Sequence, residues 1–360
     1  MIINIHKMYL LKKFSKKIFL MFLIFFALVS IINLIEESNF LRDADSNFLT
    51  PFFLTLLNTP SILYEMLPFI FILSTQFFFI DIYEKKEIYT LRQFGLNNFD
   101  ILKFLSLNSL IYGILIVIIF YNFSAILKNE YLKIKNNYTN DNKYLAAITK
   151  NGLWIKDSSN DEIIIINADK IENNYLFNTT LSQFDKDYKL KKNIIAEKVD
   201  IRNFDWILYN TTITETDNLS KNYEKISFKS NFNSEKINNL FSDLKALTYF
   251  DLQTLKKNYE SIGYSTDEIN LQNHKIYSLP FLLMLMTVIS MIIMINNKFQ
   301  KNLLFNILIG ILFSVIVYYL SHFSNLLGEN GKLPLILSVW FPVLIILIVS
   351  LIGIVKLNEK

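Results

Sequence analysis

Long apolar stretches without charge recur in two groups of three along this chain of 360 residues. The uncharged runs are Ile18–Ile35, Met66–Ile80 and Phe104–Leu127, then Ile276–Asn297, Asn302–Gly328 and Leu333–Val355. A helix that crosses the hydrocarbon core of a bilayer needs about 20 mostly apolar residues at 1.5 Å of rise each. Five of the runs reach or approach that length unaided, whereas the second must extend past Glu65 or Asp81 to cross. The pattern predicts six membrane helices, three within 1–128 and three within 275–360, flanking an insertion of about 145 polar residues at 129–274.

Inside the insertion the pattern changes to short runs rich in Ile, Val, Thr, Tyr and Trp, at Leu153–Ile155, Glu162–Asn167, Asn193–Ile201 and Asp205–Thr216. Asp, Asn, Ser and Gly separate them, as turns separate strands. Between Ile195 and Ile201 apolar and polar residues partly alternate, the mark of a sheet with one wet face. The predicted fold class is therefore a membrane α-helical protein, six helices as three plus three, with an inserted all-β, jelly-roll-like domain whose strand order the sequence leaves open. Beyond about Asn238 the spacing turns helical. Leu252, Leu255, Tyr259 and Ile262 share one face and Gly263 is placed to end the helix, giving a helical lead-in over 241–263. The domain reads either as a plain solvated ectodomain or as an open-edged sheet whose apolar trough receives something from the membrane.

Charge gives the bundle an orientation. Lys7, Lys12, Lys13, Lys16 and Lys17 precede helix one, and Lys85, Lys86, Arg92 and Lys103 lie between helices two and three. Lys298 and Lys301 follow helix four, and Lys356 and Lys360 follow helix six, while the short loops of the opposite side hold only Arg42 and Lys332. By the positive-inside rule both termini and the charged turns are cytoplasmic, and 129–274 is extracytoplasmic. With 52% apolar and 19% charged residues and a mean hydropathy of +0.31, the composition fits charge confined to loops and one domain. A net charge of +4 adds little about partners, and no nucleic acid is expected. The chain has no cysteine, which excludes thiol nucleophiles, cysteine metal sites and disulfides, so the inserted domain must be held by its own core. The first run follows a basic stretch as a signal peptide would. It is long, however, and Ser38–Phe40 offers no small-x-small cleavage site, so it reads as a retained membrane helix.

Candidate chemistry concentrates in the turn Asp81–Gly95. Ile88, Leu91 and Phe94 recur at helical spacing among Glu84, Lys85, Lys86, Glu87 and Arg92, and Gly95 stands where a helix C-terminus favours positive φ. Such a short amphipathic helix either plugs into a cytoplasmic ATPase or lies at the interface with its lysines snorkelling. Glu65 and Asp81 bracket helix two, and ionisable residues in a membrane segment are functional candidates, although both positions also suit the interface. His322, beside Tyr318 and Tyr319, either faces a cavity or belongs to an interfacial belt. Only 3 histidines are present, so no catalytic constellation and no cofactor are expected. Gly328–Lys332 lacks the phosphate-loop spacing.

Several stretches, taken in order, carry a resemblance. Tyr64–Pro68, then Lys86-Glu87-Ile88 and Gln93-Phe94-Gly95, resemble helix two and the coupling helix of the lipopolysaccharide-export permeases. Gly152–Asp157 resembles the strand that opens that family's periplasmic domain, Trp206-Ile207-Leu208 a later strand, and Leu333-Pro334 with Trp340–Pro342 the start of its last helix. The Gly-Leu-Trp stretch and the last helix are more similar to the G-type subunit than to its F-type paralogue. The resemblance implies a non-catalytic inner-membrane subunit that extracts lipopolysaccharide. It would pair with the F-type subunit, sit on a cytoplasmic ABC ATPase dimer and pass lipid to a single-span periplasmic bridging protein. It also implies a coupling helix over about 84–95, with Glu84, Glu87, Ile88, Leu91, Arg92 and Gly95, and a lipid cavity or gate at helices one and five, for which Asn33, Glu65, Met66, Tyr318 and His322 are the candidates. One departure stands out. Relatives are often basic at the outer end of helix one, where this chain has Asn33, Glu36 and Glu37.

Overall fold

The computed structural model describes residues 5–42, 47–138, 153–159, 162–172, 174–185, 189–215, 220–234, 237, 243–261, 265–295 and 303–358. Ile262 and Gly263 of the helical lead-in, Gly152 of the Gly-Leu-Trp stretch, and Lys298, Lys301 and Lys360 of the charge pattern lie outside the described residues. The chain forms two compact units, Met1–Lys128 with Asp267–Lys360, and Asn129–Thr266.

The described residues include six helices long and apolar enough to cross a membrane. They are α1 (Ile5–Phe40), α2 (Thr50–Glu84), the span from α4 (Asn98–Leu115) through a π-helical segment (Ile116–Tyr121) into α5 (Asn122–Asn136), α7 (Asp267–Ile295), α8 (Leu303–Glu329) and α9 (Leu335–Asn358). The second span runs past both Glu65 and Asp81, which supplies the length its short apolar run lacks. The central windows of α2 and α7 are 61% and 72% buried, against 17–33% for the other four, so these two helices form the middle of the bundle. In lipid the outward apolar faces are already satisfied, and small and hydroxyl-bearing residues draw the helices together. Ser109 and Thr287 share a hydrogen bond of 2.8 Å between α4 and α7, Ser290 donates to the Ile72 carbonyl at 2.8 Å, and the Gln76 amide donates to the Asn306 carbonyl of α8 at 2.7 Å.

At Gly113 α4 lies close against the backbone of α7. A β-carbon there would stand 2.6 Å from the Cα of Pro280, a backbone atom that cannot swing aside. Gly113→Ala should therefore cost about 1–3 kcal/mol through forced separation of the helices. The check is the thermal midpoint of the detergent-solubilised chain, and an unchanged midpoint would show that α4 and α7 separate freely.

Between α2 and α4 lies the short helix α3 (Glu87–Gln93). It starts at Lys86, with φ at 59°, and ends with Gly95 at φ 82°. The Gly95 amide donates to the Arg92 carbonyl at 2.9 Å and the Leu96 amide to the Leu91 carbonyl at 3.1 Å. These two bonds form a Schellman ending, which uses the left-handed conformation that glycine adopts without strain. Asn97 then opens α4 with a reciprocal capping box to Asp100.

The second unit is built on one antiparallel sheet in which β1 (Leu153–Ser159), β2 (Glu162–Glu172), β3 (Tyr175–Phe184), β4 (Leu190–Asp200), β5 (Asp205–Glu215) and β6 (Ser220–Lys229) pair in chain order. The strand order that the sequence left open is thus a meander. Ile155, Ile166, Leu181, Ile194 and Ile213 stand opposite one another in one rung of the inner face. On the outer face Lys170, Phe177, Lys198, Tyr209 and Lys225 form another rung, alternating cations with rings, and Lys198 also lies 3.9 Å from the Tyr175 ring centre. The sheet curls, and its far edges meet at one end. Buried Asp157 of β1 accepts from the Ser230 hydroxyl at 2.7 Å, the Asn231 amide nitrogen at 3.0 Å and the Asn231 side chain at 2.8 Å, just past the end of β6. Trp206 donates from its indole to the Phe232 carbonyl at 2.6 Å, and Phe232 and Ile237 fill that end of the core. At the turn after β4 the Arg202 guanidinium, bonded to Asp200, holds that carboxyl below its ordinary range. The contribution of this pair is present at neutral pH and is lost as falling pH protonates Asp200. Farther along come a 3-10 turn (Leu244–Ala246) and α6 (Tyr249–Ser261), in which Leu252 and Leu255 are buried.

Candidate functional site

The charged turn folds as an anchored hub. Helix α3 turns Ile88 and Leu91 inward, where they join a core with Leu10, Phe14, Phe78, Phe79, Ile82 and Leu105. Its opposite face leaves Tyr89, Arg92 and Gln93 exposed; Phe94, just past the helix end on the stripe of Ile88 and Leu91, is exposed rather than buried with them, as is Glu84 at the end of α2. Arg92 bonds across the turn, to Asn98 at 3.2 Å, and the Phe94 ring stacks on His6 of α1 with centroids 4.0 Å apart.

Glu87 does not share the exposed face of α3. Its carboxylate hydrogen-bonds the ammonium of Lys13 on α1, and the same ammonium lies 2.8 Å from Asp81 of α2. Lys17 and Lys85 add weaker contacts to Asp81 at 3.7 and 3.3 Å. The arrangement follows from spacing. Lys13 and Lys17 are one turn apart on the inward face of α1, and Asp81 and Glu87 flank the αL residue that breaks α2 from α3. Lys13 is 11% exposed and its two acidic partners 20% and 23%, so the pairs are shielded more than surface ion pairs, which are worth little. The hub joins α1, α2 and α3 at one end of the bundle. Its basic partner, Lys13, was legible in the sequence only as one of five lysines.

The membrane-gate candidates fall into two groups. On α8, Tyr318 and His322 stack in parallel with centroids 6.1 Å apart, and both are exposed. Tyr318 also meets Phe69 of α2 at 6.4 Å, one turn from exposed Glu65 and half-buried Met66. Asn33 is elsewhere. It is 1% exposed between α1 and α2, donates to the Thr55 carbonyl at 3.4 Å and accepts from Asn58 at 3.1 Å. Asn58 in turn accepts from the ammonium of Lys128, at the end of the third span, at 2.8 Å. Asn58 and Lys128 were missed in the sequence because neither belongs to a motif and 70 residues separate them. The contact nevertheless brings a cation to the C-terminal part of helix one, where the chain itself is acidic, with Glu37 also buried there.

Two comparisons bear on this geometry. Residues 8–356 match the family described as lipopolysaccharide export system permease LptF/LptG. A search of the curated proteins finds no match. The family match spans both groups of membrane helices, the hub and the inserted sheet. The chain therefore belongs to the lipopolysaccharide export system permease LptF/LptG family and is a membrane permease component of lipopolysaccharide export.

Proposed function

We propose that this chain is the G-type subunit of an ATP-driven extractor. It would pair with an F-type paralogue in the inner membrane, both termini cytoplasmic and the sheet domain periplasmic, and take lipopolysaccharide from the outer leaflet. A cytoplasmic ABC ATPase dimer would drive it, and a single-span bridging protein would receive the lipid. The observation that carries the reading is helix α3. Its apolar face is locked into the bundle and its other face offers Tyr89, Arg92 and Gln93, with Phe94 exposed just past its end, a ring and charge combination suited to a groove on another protein. The lysines at that end of the bundle support a cytoplasmic placement. In this reading Glu84, Ile88, Leu91, Arg92 and Gly95 shape and present the coupling helix, and Glu87 ties it to helix one. Asn33, Glu65, Met66, Tyr318 and His322 belong to the lipid path. The curled, apolar-lined sheet suits acyl chains crossing water.

The test is co-purification. The detergent-extracted chain should bring down an ATPase, and Phe94→Ala with Tyr89→Ala should release it about tenfold more readily, as loss of ring anchors does at interfaces. A chain that repeatedly comes down without an ATPase would instead be a scaffold that displays its ectodomain.

A further inference from the structure

Helix α1 is longer than a bilayer requires. Its 36 residues, Ile5–Phe40, extend about 54 Å at helical rise, whereas the hydrocarbon core is about 30 Å thick. The apolar run starts at Ile18, and Lys12, Lys13, Lys16 and Lys17 mark the edge of the hydrocarbon. Met8 and Ile5 precede Ile18 by about 15 and 20 Å of helix, well past a headgroup layer of about 5–8 Å. The first two turns of α1 therefore stand in water, at the end of the bundle that holds α3.

These turns are apolar where no lipid covers them. Ile5 is 78% exposed and Met8 58%. Farther along α1, exposed side chains such as Phe19 and Ile32 meet hydrocarbon, which satisfies them. Ile5 and Met8 have only water or another protein to meet. They adjoin α3 through the neighbouring stripe of the same helix, His6, Tyr9 and Lys13. His6 stacks on Phe94 with centroids 4.0 Å apart, and the Lys13 ammonium that bonds Glu87 also lies 5.7 Å from the centre of the Tyr9 ring. The stack joins two sets of exposed apolar side chains, Ile5 and Met8 of α1 and Tyr89 and Phe94 at α3, with exposed Lys7 and Lys12 beside the first set. Apolar groups gathered in water and rimmed by charge mark a contact with another protein.

We infer that the first two turns of α1 form a second part of the seat for the cytoplasmic ATPase, with Ile5 and Met8 against an apolar lip of its groove and Lys7 and Lys12 facing acidic side chains there. The inference rests on the reading of α3 as the ATPase contact. Size argues for it. Helix α3 has 7 residues and is about 10 Å long, whereas a stable interface takes about 20–30 residues a side. A protein seated on Phe94 meets the ring of His6 at once, so α1 is the adjacent element that adds area. Lys13 ties α3 to α1 beneath the seat, and the two helices present one platform. The lysines beside it suit an acidic rim and disfavour a basic one. In this arrangement the ATPase touches helix one directly, and its motion reaches that helix by contact as well as through the hub.

The chain has no cysteine, so single cysteines report directly. Met8→Cys, Tyr89→Cys and Phe19→Cys are each treated with a membrane-impermeant maleimide in inside-out membrane vesicles, with the ATPase bound and after it is stripped with urea. Met8→Cys should react freely in stripped vesicles and at least about tenfold more slowly with the ATPase bound, because a seated contact excludes water. Phe19→Cys, within the hydrocarbon, should stay unlabelled in both states and sets the baseline. Equal reaction of Met8→Cys in both states, while Tyr89→Cys is shielded, would confine the seat to α3 and overturn the inference alone. Met8→Cys held at the Phe19→Cys baseline in stripped vesicles would place it in lipid and overturn the inference too. If neither Met8→Cys nor Tyr89→Cys is shielded, the ATPase reading itself falls. A second measurement avoids the label. Ile5→Ser with Met8→Ser should release the ATPase about tenfold more readily on co-purification, since two apolar anchors leave the interface. Retention equal to the parent's, with Phe94→Ala and Tyr89→Ala still releasing the ATPase, would overturn the inference and leave the reading of α3 standing.

Discussion

Lys13→Met should lower lipopolysaccharide export about tenfold or more while the ATPase stays bound. Methionine keeps the length and much of the packing of lysine but removes the charge that Asp81 and Glu87 share. Asp81 retains Lys17 and Lys85, so the end of α2 stays compensated. Glu87 loses its ion pair, and α3 loses its charged tie to α1. A hydrogen bond to a charged group contributes about 1.5–3 kcal/mol, which is a factor of about ten or more in any equilibrium that depends on the tie. In the proposed mechanism that equilibrium is the transfer of motion from the ATPase through α3 to helix one. The measurement is export per ATP hydrolysed in reconstituted vesicles. Lys13→Arg should retain most of the coupling, and full coupling in the methionine variant would sink the idea.

A second pair of substitutions separates two roles for α3. Glu87→Lys sets two ammonium groups against each other on the bundle side of the helix, so it should uncouple export in the same way and leave the ATPase attached. Arg92→Glu alters the exposed side, so it should weaken ATPase attachment and leave the hub intact. If Glu87→Lys detaches the ATPase and Arg92→Glu does not, the inward and outward faces of α3 have been assigned in reverse.

The membrane bundle was legible because burying a backbone in hydrocarbon permits so few solutions that length and lack of charge suffice. The second span was the hard one, and there the short run Met66–Ile80 is extended by a helix that tolerates Glu65 and Asp81. The sheet was legible only in part. β1, β2, β4 and β5 carry dense Ile, Val and Trp, but β3 contains Asn178, Thr179 and Thr180, and β6, in Ser220–Lys229, is an edge strand with most of its side chains in water. Strands of that kind are held by their neighbours more than by their own propensity. The hub shows the same limit. The spacing of Ile88 and Leu91 announced a short helix, and Gly95 announced its end. The direction of Glu87 depends on Lys13, 74 residues away, and no local pattern encodes that pairing.

Trp206→Ala should unfold the sheet domain at temperatures where the parent chain is intact. Trp206 is fully buried, packs near Phe228 with ring centroids 6.4 Å apart, and joins the one end of the sheet where its edges meet. Removing a buried tryptophan costs about 3–5 kcal/mol, and here the Phe232 carbonyl also loses its indole donor, worth about 1 kcal/mol. Asp157→Ala attacks the same closure from β1. It strands the Ser230 hydroxyl and two donors of Asn231, at about 1–3 kcal/mol for a buried group left unpaired. Because both act on one junction, the double variant should lose less than the two single losses added together. Limited proteolysis of the full-length chain in detergent reads the result as earlier cleavage within 153–237, with the membrane helices protected. Independent, additive losses would mean that the indole bond and the carboxylate cluster do not close the sheet as a unit. The trough proposed to shield acyl chains would then be open at that end.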